Sequence, residues 1–451
     1  MSASPNLLVD VDRLRPGMFV QLDLGWMDHP FPRSRFRIAD GGQIDTLRSL
    51  GLRRVKVRQD LSDPSSFDQP QVDGAERALP AAAANSAATS VPLAAAAPAA
   101  PMGAVALATD EARRPAPSHR ERMARQRESL ARSERLHGQA TRAWQNVARD
   151  ALQQPVQARD IANGMAEAMV TQMCEDDNTT IRMLSEAAGT AASQHAINVC
   201  VLSLMLARSM GLNEEQLRGI ALGALVHDIG KQMLPDNLRN LGTESGPLME
   251  REQREHVAHG LRLGMTMGLD PIALRIIAQH HELRDGSGLP QGIRGEEIAL
   301  PARIVALVNI YDRLCNPRVK GASLRTPHEA QALLYAQMRN KLDVDVMTGF
   351  IKLLGVYPPG SVVQLSDERV GIVVSVHPAH PLRPSVLVYE PKVAPDDALI
   401  LHLNHEKGLS VRRSLHPHHL PRAMLDYLSP RERVNYYFAH GLEPVDAEVA
   451  A

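Results

Sequence analysis

Cysteine is scarce in this chain. The 451 residues carry only Cys174, Cys200 and Cys315, widely spaced and with no CxxC pair. An odd, unpaired set excludes a disulfide framework and fits reduced thiols. Long apolar runs are missing as well: no window approaches the ~18 uninterrupted apolar residues of a membrane-spanning helix. The start, MSASPNLLVDVDRLRPGMFV, lacks a basic-then-apolar leader pattern, so the cytoplasm is the expected compartment. Neither sign of charge dominates, since 50 Lys and Arg face 51 Asp and Glu for a formal net charge of -1. That balance argues against a nucleic-acid partner and makes any phosphate binding a local matter. The remainder, 44% apolar and 22% charged, is the composition of a soluble protein in a chain too long for one hydrophobic core.

Composition divides the chain. Thirteen Ala and four Pro crowd between Ala78 and Pro101, a stretch with too little bulky apolar surface to pack, and residues 71–118 are expected to be a flexible linker. Before it, residues 1–70 read as a small α/β unit: VDRLRPGMFVQLDL alternates around Pro16-Gly17, and GGQIDTLRSLG suggests a helix leading to the strand RRVKV. From Arg113 to Arg149 there are ten Arg and three Glu, with Met123, Leu130, His137 and Trp144 at steps of seven. Residues 119–160 therefore read as a basic amphipathic helix that docks or dimerises, with a solvated basic face. Apolar residues at three- and four-residue steps, as in HAINVCVLSLMLARSMG and DPIALRIIAQ, make 161–356 an all-helical domain. Beyond Tyr357-Pro358-Pro359-Gly360 the period changes to two in SVVQL, VGIVVSV and SVLVY, so 357–451 read as a β-rich tail with a terminal helix, LPRAMLDYL. The fold class expected is mainly α, with a small N-terminal α/β domain and a C-terminal β-rich appendage.

The chemistry sits in the helical middle. His227-Asp228, His256 and His280-His281 are metal-ligand types, and Lys231 follows the first pair by three residues. Imidazoles with one carboxylate can hold two divalent cations close together, because a carboxylate has two oxygens and can bridge. In GALVHDIGKQMLP, Gly230 lets the backbone turn and aims Lys231 back toward the pair. A lone HD dipeptide means little, but HDIGK followed by an isolated His and then HHE is far rarer. Two consecutive imidazoles after the apolar run IALRIIAQ would be costly to bury unless something binds them.

Residues 190–325 resemble the HD-GYP family of HD-domain metal phosphohydrolases, which hydrolyse the bacterial second messenger cyclic di-GMP. The signature stands as HAINV, HDIGK, HVAHG, HHELRDGSGLP and RIVALVNIYDRL. The N-terminal VDRLRPGMFVQLDLGWMDHPFPRSRF resembles the domain of unknown function that often precedes it, and GVYPPGSVVQLSDERVGIVVSV resembles the family tail. The resemblance assigns His195 and His227 to one metal, His256, His280 and His281 to the other, and Asp228 as the bridge. Lys231 faces the phosphate, and Arg318 fits a phosphate-clamping position, with Lys320 one residue off another. Two ions are implied, since Ala191 stands where three-metal members carry Glu; the imidazole-rich shell suits Fe, Mn, Co, Ni or Zn better than Mg.

Two departures stand out. The last family ligand, the first Asp of a D-x-x-D helix, is Asn309 here, while the second acid remains as Asp312. Asn offers only a neutral carbonyl oxygen, so the ion held by His195 and His227 is expected to bind more weakly. The Gly-Tyr-Pro element is Gly288-Leu289-Pro290. The expected activity is attack of metal-activated hydroxide on cyclic di-GMP, giving pGpG and/or GMP. The alternatives are an inactive cyclic di-GMP sensor, a module that binds diguanylate cyclase (GGDEF) domains through Asp285 to Pro290, or a phosphohydrolase for another nucleotide. A homodimer is a further expectation, and a membrane span is not.

Overall fold

The structure is a computed structural model that describes residues 7–22, 35–49, 52–63, 119–176, 179–184, 188–239, 246–318, 325–377, 380–406, 408–429 and 433–439. The Ala/Pro stretch and Lys320 lie outside these residues. The chain divides into two units, residues 1–117 and 118–451.

In the first unit the strands β1 (Leu7–Asp10), β2 (Phe19–Gln21) and β3 (Arg35–Arg37) precede helix α1 (Gly41–Ser49) and β4 (Arg54–Arg58). They form an antiparallel sheet in the order β1-β4-β2-β3. The alternation in RVKVR turns Val55 and Val57 to one face, where Ile44 and Leu47 of α1 join Val20 in a small core. This is the α/β unit that the sequence pattern implies.

The second unit opens with α2 (His119–Asp150) and α3 (Pro155–Cys174), followed by β5 (Thr180–Met183), α4 (Ala191–Ser209) and α5 (Glu214–Val226). Next come α6 (Asp236–Arg239), α7 (Pro247–Met267), α8 (Pro271–Gln279), α9 (Leu300–Cys315), α10 (Pro327–Met338) and α11 (Val344–Leu354). Strands β6 (Val362–Leu365), β7 (Val370–Val376), β8 (Ser385–Val388), β9 (Ile400–His402) and β10 (Val411–Leu415), helix α12 (Arg422–Leu428) and β11 (Tyr436–Ala439) complete it. Helix α4 is apolar almost all round, and every residue from His195 to Ala207 is buried, so it runs through the centre of the bundle. Its start is fixed by a capping box in which Thr190 and Ser193 satisfy each other's backbone N–H groups.

Two features differ from the sequence expectation. The helical middle contains β5, which pairs antiparallel with β11 and with β7. The C-terminal strands are therefore joined to the bundle through one sheet of order β10-β6-β7-β5-β11 and share its core. Four residues, TIRM, buried on both faces, show neither alternation nor length enough to be read as a strand. The second is the basic helix: Ser133, His137, Thr141, Trp144 and Val147 of α2 are buried within the chain. Trp144 Nε1 donates to Leu225 O at 2.8 Å and Ser133 Oγ to Phe438 O at 2.8 Å. The stripe that suggested a docking or dimerising helix thus docks on the chain's own core. Cys200 and Cys315 are buried, Cys174 is exposed, and all three are free thiols. Among the described residues no helix is long and apolar enough to cross a membrane.

Candidate metal centre

Six elements of the second unit bring the candidate ligands together. His195 lies on α4, His227 caps the C-terminus of α5, and Asp228 opens the 3-10 turn Ile229–Met233. His256 lies on α7, His280 caps α8 with His281 next to it, and Asn309 is on α9. Gly230, inside that turn, has a second role besides the turn expected of it. A Cβ there would stand 2.0 Å from His256 O and 2.3 Å from Gly260 N, so the missing side chain lets α7 pack backbone to backbone on the HD turn. That contact carries His256 to Asp228.

Two ligand sets share Asp228: one comprises Asp228, His256, His280 and His281, the other His195, His227 and Asp228, and within each the ligand atoms lie within 4.8 Å of one another. Asp228 Oδ1 is 3.4 Å from His256 Nε2 and 3.8 Å from His280 Nε2. Asp228 Oδ2 is 3.5 Å from His227 Nε2 and 3.7 Å from His195 Nε2. The structure thus brings all five histidines to Asp228, including His195, the weakest position by sequence alone.

The far nitrogen of four of the five rings is tied down. His227 Nδ1 faces Ala224 O at 2.7 Å, His256 Nδ1 faces Glu252 O at 2.8 Å, and His280 Nδ1 faces Ile277 O at 3.0 Å. A carbonyl accepts only, so each Nδ1 carries the proton and each Nε2 turns a lone pair inward. His195 Nδ1 meets the buried Asp312 carboxylate at 2.5 Å, and Asp312 also accepts from Asn198 and Asn316. This His–carboxylate pairing orients a ligand from behind.

Such an arrangement fits a cation. His256 Nε2 and His280 Nε2 face each other at 3.3 Å, two lone pairs in a buried space. Among the described residues, the Nε2 atoms of His195, His227 and His281, Asp228 Oδ1 and Asn309 Oδ1 are buried without hydrogen-bond partners. Burial pushes His227 down to about 4 and His280 to about 3, so both are neutral donors near pH 7. Burial also lowers His195 and His281 far below the usual imidazole range. His256 moves up: burial opposes its charge, but Glu252 and Asp228 outweigh it. Asp312, buried, is raised to about 6.

Three cations rim the cluster. Lys231 pairs with Asp228 and reaches Glu252 Oε1 at 3.6 Å. Arg318 Nη1 donates to Glu252 Oε1 at 3.1 Å. Arg313 Nη2 donates to Asp228 Oδ2 at 3.1 Å. Glu252 and Arg313 escaped the sequence reading. Helical spacing could have found them, since Glu252 precedes His256 by four residues and Arg313 follows Asn309 by four. The loop after His281 is anchored too. Leu289 N donates to His281 O, the buried Glu282 carboxylate accepts from Gln291 N and Gly292 N, and Arg254 holds Pro290 O.

The fold and the paired ligand sets define an HD-type metal phosphohydrolase domain. A family model described as HD domain matches residues 169–346, and a domain of unknown function, DUF3391, matches residues 7–161. A cyclic di-GMP phosphodiesterase of Pseudomonas aeruginosa is 28% identical over 388 residues, 84% of each chain. A cyclic di-GMP phosphodiesterase response regulator of Xanthomonas campestris pv. campestris is 35% identical over 143 residues, 31% of this chain and 37% of its own. A 3'3'-cGAMP-specific phosphodiesterase of Vibrio cholerae is 31% identical over 163 residues, 35% of this chain and 37% of its own. Residues 169–346 thus match an HD domain, and most of the chain resembles a cyclic di-GMP phosphodiesterase.

Proposed function

We propose that this protein is a phosphodiesterase that hydrolyses cyclic di-GMP to pGpG and/or GMP, in the cytoplasm. The observation that carries the reading is Asp228 standing between two inward-facing imidazole sets. His195, His227, Asn309 and Asp228 would hold one divalent ion, and His256, His280, His281 and Asp228 the other; Fe and Mn suit these donors. Such a pair, when bound, makes a water acidic enough to attack phosphorus near neutral pH and offsets charge on the phosphoryl oxygens.

The chain's own groups do the rest. Lys231, Arg313 and Arg318 surround the cluster and are the cations available to the nonbridging phosphate oxygens. Asp312 keeps His195 in the tautomer that donates inward. The exposed end of the loop Asp285 to Pro290 is the surface offered to a diguanylate cyclase domain, and a homodimer is compatible with it.

Two observations favour other readings. Asn309 supplies no charge, which favours a sensor that binds the dinucleotide without cleaving it. The Vibrio relative named for 3'3'-cGAMP favours a different cyclic dinucleotide. Purified protein, loaded anaerobically with Fe or Mn, is incubated with each dinucleotide and the products are separated by chromatography. Release of pGpG from cyclic di-GMP, lost in His227→Ala and Asp228→Ala, is the expected result; binding without release establishes the sensor, and faster cleavage of 3'3'-cGAMP reassigns the substrate.

A further inference from the structure

The two oxygens of Asp228 differ in their surroundings. Oδ1, on the side of His256 and His280, is buried without a hydrogen-bond partner among the described residues. Oδ2, on the side of His195 and His227, is already bonded by Lys231 and by Arg313 at 3.1 Å, with Arg318 Nη2 at 3.8 Å. An ion between His195 and His227 needs Oδ2 and meets both Lys231 and Arg313 there; Lys231 has Glu252 Oε1 at 3.6 Å to turn to, so Arg313 is the cation that has to leave the site. The remaining oxygen on that side belongs to Asn309, which is neutral and offers nothing to offset the repulsion. No such competitor is hydrogen-bonded to Oδ1.

We propose that Arg313 is a built-in cation that competes with a metal ion for Asp228 Oδ2, so that the centre loads in sequence. The first ion binds tightly at His256, His280, His281 and Asp228 Oδ1. The second binds weakly at His195, His227 and Asn309, and only when the Arg313 guanidinium leaves Asp228. Arg313 is able to leave because its side chain is 26% exposed and ends a long, flexible stem at the rim of the site. Helix α9 therefore sets the affinity of the second position twice, through the neutral Asn309 and, one turn later, through the charged Arg313. The inference rests on the metal reading of the cluster, but not on the identity of the substrate.

Manganese titration of the chelator-treated full chain by calorimetry tests it without reading turnover. The wild type is expected to show one tight and one weak equivalent, separated by at least about tenfold, or about 1.4 kcal/mol. Arg313→Gln, which keeps bulk and loses charge, should tighten the second equivalent by at least about tenfold and leave the first unchanged. The unchanged first equivalent shows that the variant is folded, and Arg313→Lys should keep the second weak. His281→Ala should remove the tight equivalent and not the weak one. Two equal equivalents in the wild type, or no change in Arg313→Gln, overturns the role of Arg313 and leaves the phosphodiesterase reading standing. Absence of any manganese uptake overturns both, whereas failure to cleave cyclic di-GMP with two unequal equivalents overturns only the substrate.

Discussion

Asp312 shows what a side chain without a place on the metal can decide. It is fully buried, accepts from His195, Asn198 and Asn316, and fixes which nitrogen of His195 faces the cluster. Substituting Asn keeps the shape but offers His195 an amide that can rotate its donor toward the ring. Asp312→Asn is expected to weaken metal affinity about 10- to 100-fold, as losses of such supporting carboxylates do, with little change in melting temperature. A metal titration beside a thermal melt separates the two effects. At this scale the sequence was informative where a residue type has few uses, as in HDIGK and HHE. It was uninformative where a common residue acts by position, as Glu252 and Arg313 do, since charged residues on helices are ordinarily solvated.

Elements place these residues, and two predictions belong to their packing. Gly230 lets α7 approach the HD turn at backbone distance, so Gly230→Ala has to push the two apart. A loss of roughly 3 kcal/mol or more in denaturant unfolding is expected, together with weaker metal binding as His256 recedes. Full stability in the alanine variant would show that the turn and α7 have room to relax. Helix α2 carries the second. His137 is 1% exposed, neither ring nitrogen has a hydrogen-bond partner among the described residues, and burial pushes it down to about 4. An unfolded chain takes up that proton near ~6.5, so between these values the unfolded state binds more protons and stability falls as the pH falls. The loss attributable to His137 is about 2 kcal/mol at pH 5 relative to pH 7, and it should vanish in His137→Leu. Denaturant midpoints of both proteins at the two pH values check this; equal slopes with pH would show that His137 takes up its proton in the folded state. The heptad spacing of α2 was legible, but the partner that covers it was not, because an apolar stripe looks alike whether it meets a second chain or its own core.

For the whole molecule, the division at residues 117 and 118 and the sheet that joins β5 to β11 make opposite predictions about the two ends. Residues 118–451 alone should fold and take up as much metal as the full chain. A chain ending at Leu428 should not, because it lacks Val434 and Tyr436, whose backbone groups hydrogen-bond Asn198 and Asn316, the two asparagines that donate to Asp312. Metal content per chain and circular dichroism of the two truncations test both, and an intact metal site in the shorter chain would detach the tail from the centre. By itself the sequence determined the class of centre, the helical bundle and the N-terminal unit, since ligand chemistry and hydrophobic period are properties of neighbouring residues. Only the tertiary structure decided that the C-terminal strands support the metal site, that one face of α2 is buried within the chain and that Arg313 sits on Asp228. Each of these depends on which distant segments meet, and that is settled by burial summed over the whole core.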